Sequence, residues 1–301
     1  MRRLGYALAG CALVGFAAYL LISAPQVRPV QDIAAVQGDA ARGQLVFTAA
    51  GCASCHMAPD AKGDAQLVLA GGQAFPSAFG TFVSPNISPD PAAGIGGWSL
   101  EQFSHAVRDG VSPGGEHLFP ALPYGAYQLM AGQDLADLWA YIGTLPPSAE
   151  PSKPHQVGFP FNIRRNIGIW KRLFLRRDWV LTNATTPDLD RGRYLVEALA
   201  HCGECHTPRN VLGGLDRARW LGGAPDPSGK GTIPNITPGA LKWSEAEIVD
   251  YLTTGFTPEF DSVGGHMAHV VDNMSKLPES DRKAIAAYLK AVPAVAPAPA
   301  P

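Results

Sequence analysis

Cysteine, methionine and charged residues are all scarce in this chain. Five cysteines occur in 301 residues, and because four of them lie in two copies of one pentapeptide, only Cys11 is left for a structural disulfide. Charged residues make up 17% of the chain and the formal net charge is −2, so nucleic-acid binding has no compositional support. The 33 glycines and 27 prolines instead favour short helices joined by long, irregular loops.

The repeated pentapeptide is Cys-x-x-Cys-His, at Cys52–His56 and again at Cys202–His206. This motif is typical of c-type haem attachment, in which the two thiols bond the haem and the histidine binds the iron. A thioredoxin-like redox pair would need a βαβ context that the sequence does not show, and a shared zinc site would not explain the two histidines. The sequence therefore predicts two covalently bound haem c groups, held by Cys52, Cys55, Cys202 and Cys205 with His56 and His206 as iron ligands.

The surroundings of the two motifs also match. Arg-Gly precedes each motif, at Arg42 and Arg191, and Pro-Asn-Ile follows each, at Asn86 and Asn235. A Trp-Ser pair and a closing amphipathic run complete each copy. A unit that recurs at the length of a small domain predicts a mainly α protein with two tandem cytochrome c-like domains.

The N-terminus combines two arginines with a long apolar run. The run from Leu4 to Ala24 has no charge and is long enough, as a helix, to cross a bilayer. Arg2 and Arg3 would place the N-terminus in the cytoplasm and the haem domains on the periplasmic side of the bacterial membrane. We expect a retained single-pass anchor over a signal cleaved near Ser23 or a lipoprotein signal at Cys11.

The domain boundaries follow from composition. Pro146-Pro147 ends the first domain, and a basic, apolar segment at 162–179 dominates the linker. That segment fits either an interdomain strap or a helix against the membrane surface or a partner subunit. The expected units are an anchor or signal 1–24, a tether 25–36, a first cytochrome c domain 37–145, a linker strap 146–188, a second domain 189–292 and an Ala/Pro tail 293–301.

The scarcity of methionine narrows the search for the second iron ligands. Met57 directly follows His56 and cannot reach the opposite face of that haem, which leaves Met130 as the predicted ligand in the first domain. In the second domain Met267 is preferred to Met274. Alignment of the closing helices places Met130 opposite Leu277 and Met267 opposite Pro120, so the two domains would deliver sulfur from different places.

Other histidines are weaker candidates for the same position. His105 and His117 are the rivals in the first domain, and His201, His266 and His269 are those in the second. Asn86 and Asn235 fit either loop hydrogen bonding or contact with a haem propionate. Arg42 and Arg191 fit either a propionate partner or a helix surface.

Together these motifs resemble the multihaem cytochrome c subunits of bacterial membrane-bound alcohol, gluconate, fructose and aldehyde dehydrogenases. Besides the haem motifs, the resemblance rests on Phe79-Gly80-Thr81, on 94–99 (Gly-Ile-Gly-Gly-Trp-Ser), on 119–124 (Phe-Pro-Ala-Leu-Pro-Tyr) and on Met267–Val271. The family usually has three haems where this chain has two, and many relatives carry methionine where this chain has Leu122.

The resemblance implies an electron-transfer subunit with no catalytic residue of its own. It would accept electrons from a periplasmic or membrane-bound dehydrogenase and deliver them to a quinone, an oxidase or another cytochrome. The alternative is a dihaem redox enzyme, such as a peroxidase or a thiosulfate-oxidising cytochrome. A peroxidase needs an open iron position, which methionine ligands would remove.

Overall fold

The computed structural model describes residues 2–227, 229 and 231–297, and the last residues of the Ala/Pro tail lie outside this range. The described chain is mainly helical, as expected, and forms two cytochrome-like units joined by a strap. The helices are α1 (Arg2–Ile22), α2 (Ala40–Ala49), α3 (Cys52–His56), α4 (Leu100–Ser104), α5 (Tyr124–Tyr127), α6 (Gly132–Ile142), α7 (Asn166–Phe174), α8 (Pro187–Tyr194), α9 (Gly203–His206), α10 (Glu245–Thr254), α11 (His266–Ser275) and α12 (Glu279–Ala291).

Each unit is built on a crossing of its first and last long helices. α2 packs on α6 and α8 packs on α12, and a glycine lies at each crossing. A Cβ on Gly43 would lie 1.9 Å from the Asp137 carbonyl oxygen, and one on Gly192 would lie 2.0 Å from that of Ala284. The Arg-Gly pairs of the sequence therefore mark the points where two helix backbones touch.

The arginines of the same pairs bind the closing helices. Arg42 makes a two-pronged ion pair with Asp137, at 2.8 and 3.0 Å, and Arg191 makes one with Asp281, at 2.9 and 2.8 Å. Each guanidinium group therefore binds the closing helix of its own unit. The apolar face of α6 is buried as its periodicity predicts, with Leu135 fully enclosed.

Short helices and small sheets complete the two units. α4 and α8 each continue into a π-helical turn, at His105–Asp109 and Leu195–Leu199, and 3₁₀ turns lie at Gly63–Leu67 and Arg217–Arg219. In the first unit β1 (Ala74–Ser77), β2 (Gly80–Val83) and β3 (Gln156–Val157) form an antiparallel sheet in that order. In the second, β4 (Ala224–Pro225) pairs with β5 (Thr232–Ile233). Because β3 belongs to the linker, the linker is part of the first unit's sheet.

The basic linker segment contacts both units. Lys171 Nζ donates to the carbonyls of Asp109 (2.6 Å) and Gly110 (2.8 Å) in the first unit. Trp170 Nε1 donates to the Leu212 carbonyl of the second unit at 2.9 Å. The segment therefore touches both units, as expected for the strap, one of the two interpretations of this segment.

α1 is long and apolar enough to cross a membrane, judged by length and composition. Its residues Arg2–Ile22 are exposed or half-exposed in the protein, whereas Ser23, directly after it, is fully buried. The apolar side chains of α1 therefore take no part in the core of the two units.

Candidate haem-binding sites

Each haem motif forms a single helical turn at the end of a longer helix. Gly51 adopts a left-handed backbone conformation (φ 63°), which stops α2 and starts α3 in a new direction. The cysteines of a motif are three residues apart, so one helical turn brings both thiols to the same face with the histidine beside them. Cys52 and Cys202 are half-buried, whereas Cys55 and Cys205 are exposed.

The histidine of each motif is oriented by a backbone carbonyl. His56 Nδ1 donates to the Pro85 carbonyl at 2.9 Å, and His206 Nδ1 donates to that of Pro234 at 2.8 Å. Because Nδ1 carries the proton, Nε2 keeps its lone pair for a metal, and burial lowers the pKa of both histidines and favours the neutral form. The arrangement fits an axial iron ligand.

The loop that supplies this carbonyl is held by the recurring asparagine. Asn86 Nδ2 donates to the Ser148 and Glu150 carbonyls, both at 2.8 Å, and its Oδ1 accepts from the Ser88 N–H. Asn235 makes the equivalent bonds to Val295 and Thr237. Of the two roles considered for these asparagines, the structure shows loop hydrogen bonding.

The donor set fits haem better than zinc or a redox disulfide. The five cysteines form no disulfide. A zinc site would need four cysteine or histidine side chains around one point. Within the described residues, no three His, Cys, Asp or Glu side chains converge on one point that would hold a metal ion.

On the side opposite the motif histidine, where a second iron ligand would lie, the two units differ. Backbone hydrogen bonds show which positions of the two units correspond. Leu118 N–H bonds the Gly110 carbonyl (2.7 Å), and Val263 N–H bonds that of Gly255 (2.8 Å), so residues here correspond at an offset of 145. Four residues further on in each unit, Leu122 corresponds to Met267. The sequence alignment placed Met267 opposite Pro120, and this register corrects it.

The methionines differ in their surroundings. Met267 is half-buried at the start of α11, whereas Met130 and Met274 are each 3% exposed within the core. The carbonyl of Met130 accepts a 2.6 Å bond from the buried Arg108, which fixes the backbone there. Met267 therefore lies nearer the surface than Met274, whereas Met130 is as deeply buried as Met274.

The rival histidines of the first unit are engaged elsewhere. His105 contacts Asp109 (3.2 Å) and Glu101 (3.5 Å) through its two ring nitrogens. His117 is buried and its Nε2 donates to the Ser23 carbonyl at 2.9 Å. In the second unit His201 lies edge-on to Tyr127, and His266 lies beside Phe75.

The two motifs face each other across the contact between the units. Cys55 lies close enough to Cys205 for the second thiol to raise the pKa of the first, after the larger effect of burial. Asn273 Nδ2 of α11 donates to Ser54 Oγ inside the first motif at 2.9 Å. The rings of Tyr127 and His201 are 5.5 Å apart between the same segments. Sequence reasoning missed these contacts, since nothing in either copy signals its partner.

Comparison with known proteins agrees with this geometry. A family model for cytochrome c matches residues 40–146, and one described as cytochrome c oxidase, cbb3-type, subunit III matches residues 187–289. The chain is 52% identical to a "Diheme cytochrome c-type" of Cereibacter sphaeroides over 98% of this chain and 100% of that protein.

This chain belongs to the dihaem cytochromes c. The cytochrome therefore carries two covalently bound haem c groups and transfers electrons, as its motifs predict. It is also 41% identical to the fructose dehydrogenase cytochrome subunit of Gluconobacter japonicus, with 85% of this chain aligned. The gluconate 2-dehydrogenase cytochrome c subunit of Pantoea cypripedii is 34% identical over 83% of this chain.

The resemblance expected from the motifs is thus confirmed. The cytochrome spans 53% of the length of the fructose dehydrogenase subunit and 59% of that of the gluconate dehydrogenase subunit. The matched part contains both haem motifs of this chain.

Proposed function

We propose that this cytochrome accepts electrons from a dehydrogenase and passes them, domain to domain, to a quinone, an oxidase or another cytochrome. The observation that carries the proposal is the face-to-face placement of the two motifs, with Ser54–Asn273 and Tyr127–His201 between them. The relatives named for fructose and gluconate dehydrogenases support a dehydrogenase as donor.

We assign the haem-binding roles as follows. Cys52 and Cys55 bond the first haem and His56 binds its iron, while Cys202, Cys205 and His206 do the same in the second domain. The bound haem supplies one-electron redox chemistry, and the protein supplies ligation, orientation and burial. Met267 is the second ligand in its domain, and Met130 is the sulfur ligand proposed for the first.

Carbon monoxide tests the methionine assignments, because it binds ferrous iron only where a coordination position is free. We expect slow or absent binding at both haems of the reduced wild type. Met267→Leu should make the second haem bind carbon monoxide, whereas Met274→Leu, its matched control, should not. Met130→Leu should open the first haem. Rapid binding at the first haem of the wild type would show that Met130 is not a ligand.

One observation favours the second candidate function, a dihaem redox enzyme. Leu122 occupies the position that corresponds to Met267, and a leucine cannot bind iron. An open iron in the first domain would permit peroxide or another small substrate to bind. Peroxide turnover by the purified cytochrome, lost in Leu122→Met and kept in Met130→Leu, would establish this function.

We further propose that α1 is a retained anchor that leaves the haem domains on the periplasmic side. The end of α1 is bound by the rest of the protein: Tyr19 Oη donates to Asn166 Oδ1 at 3.0 Å, and the Ser23 carbonyl accepts from His117. A Cβ on Gly168 would lie 2.3 Å from the Ser23 carbonyl, so the strap packs directly on the predicted cleavage point. Mass spectrometry of the mature protein tests retention.

Purification from solubilised membranes tests the partner. We expect a dehydrogenase to copurify, and addition of its substrate to reduce both haems. Recovery of the cytochrome alone, with no reduction by any dehydrogenase of the same membrane, would contradict the proposal.

A further inference from the structure

The exposed apolar side chains of the two domains and the strap concentrate in one region. Among described residues outside α1, ten large apolar side chains are exposed, and six of them belong to the strap or to the turn beside it. Phe159 is 81% exposed and Val211 is 93% exposed. We call these six residues the apolar rim: Phe159, Phe161, Ile163, Leu173, Val211 and Leu212.

The apolar rim forms one surface although it comes from two parts of the chain. The ring of Phe161 packs on Phe79, with centroids 5.0 Å apart. A Cβ on Gly213 would lie 3.2 Å from the same Phe79 ring, which places the 211–213 turn beside the strap. The bond from Trp170 Nε1 to the Leu212 carbonyl fixes the turn to α7.

The residues that carry the rim also hold the end of α1. Arg165 Nη2 donates to the Leu20 carbonyl at 2.5 Å, and Arg172 Nε donates to that of Ile22 at 2.6 Å. The last carbonyls of a helix have no partner within the helix, and cations at this end are favourable. Leu173 directly follows Arg172, so the rim begins about 4 Å along the chain from a residue bound to the anchor.

The composition of the strap indicates what covers the rim. Residues 158–177 contain six basic residues and no acidic residue, in a chain whose net charge is −2. Basic and aromatic residues together on one surface are typical of proteins that lie in the headgroup region of a bilayer. Since α1 exposes apolar side chains that lipid would cover, the bilayer would begin beside this surface.

We infer that the apolar rim enters the headgroup region of the phospholipid bilayer, while the exposed Arg172 beside it binds a lipid phosphate through its free guanidinium nitrogens. This inference rests on the proposed anchor and extends it, because it adds a second membrane contact beside the end of α1, which the strap already holds. A second membrane contact fixes the orientation, and with it the side that each haem site presents to partners above the membrane.

Spin labels test the inference in the full-length, haem-loaded protein. Cys11→Ser removes the free thiol outside the haem motifs, and Val211→Cys, Phe260→Cys and Leu13→Cys then take one label each. Phe260 is 88% exposed, belongs to the second domain and is not part of the rim, so it is matched to Val211 in exposure. Haem spectra confirm that each variant is folded.

The labelled proteins are placed in vesicles of phosphatidylethanolamine and phosphatidylglycerol. Collisions with oxygen, which concentrates in lipid, are compared with those of a water-soluble nickel chelate. We expect the oxygen-to-nickel ratio at position 211 to exceed that at 260 severalfold. An oxygen-to-nickel ratio at position 211 equal to that at position 260 would overturn the inference. If the label at position 13 is exposed to lipid in the same experiment, the anchor stands and a partner protein is left to cover the rim. Water exposure at 13 overturns the anchor and the inference together.

Discussion

The asparagine that follows the proline in each Pro-Asn-Ile loop offers the sharpest test of how the protein holds its proximal histidines. Asn86 is 3% exposed, and its side chain makes three hydrogen bonds of 2.8 Å to the backbone of Ser148, Glu150 and Ser88. Asn86→Ala removes all three. Because a buried hydrogen bond contributes about 1 kcal/mol net, we expect a loss of about 3 kcal/mol in the free energy of unfolding.

The expected loss is large enough to measure by calorimetry. For a protein of this size about 3 kcal/mol corresponds to a fall of about 5 °C in the melting temperature. Circular dichroism in the haem absorption bands adds a local readout. Asn86 is next to Pro85, whose carbonyl orients His56. The first haem should therefore lose its native spectrum at a lower temperature than the second.

Two variants make the test specific. Asn235→Ala is the matched change in the second domain, and we expect a smaller effect because Asn235 is half-buried and water can replace part of its bonding. Asn86→Asp keeps the size of the side chain but turns a second acceptor towards two carbonyl oxygens, so it should not rescue stability. A loss below about 1 kcal/mol for Asn86→Ala, or an equal loss in Asn235→Ala, would refute the reasoning.

Three further predictions concern the helix crossing, the strap and the domain contact. Gly192→Ala would place a methyl group 2.0 Å from the Ala284 carbonyl oxygen, so the free energy of unfolding should fall by about 2 kcal/mol or more. Thermal unfolding measures this loss, and an unchanged melting temperature would contradict the close helix crossing. Burial lowers the pKa of Lys171 to about 8 from an ordinary value of 10.5, so between these pH values the unfolded chain binds more protons than the folded chain. The free energy of unfolding, measured in urea, should therefore rise with pH across this window in the wild type and not in Lys171→Met. The same pH dependence in both proteins would refute this prediction. Tyr194→Phe removes the 2.6 Å bond to Asp134 across the domain contact, and amide exchange in the first turn of α6 should become faster; unchanged exchange would show that other contacts suffice.

Much of the fold follows from features that are local in the sequence. The Cys-x-x-Cys-His motifs identify both sites, and the spacing of Leu135, Leu138 and Ile142 identifies the buried face of α6. The Arg-Gly pairs recur because a glycine must lie at each helix crossing, so a repeat in the sequence reports a repeat in packing.

The second ligand position was harder to predict, for a physical reason. The sequence alignment used the closing helices, which begin at Gly132 and Glu279 and differ by 147 positions. Before them, α5 has four residues whereas α11 has ten, and two extra residues lie in the second domain. Alignment on Gly110 and Gly255 would have placed Leu122 opposite Met267 from the sequence alone.

The role of the basic linker was beyond sequence reasoning because its contacts are distant along the chain. Arg165 and Leu20 are separated by 145 residues, and nothing near either residue signals the other. Composition limited the linker to a strap or a surface helix. Only the folded chain shows that one segment joins the sheet of the first domain, the turn of the second and the end of α1.

The bonds of Asn86 and Asn235 also determine how the protein can be divided. Val295 lies beyond α12, and its carbonyl accepts from Asn235 Nδ2 at 2.9 Å. A recombinant second half that stops with its last helix, or a protease that trims the tail to that point, would release the loop that orients His206. The first half likewise needs residues to Val157, because Ser148, Glu150 and β3 bind its haem loop and hairpin. Expression of single haem domains should therefore follow these bonds and not the ends of the helices.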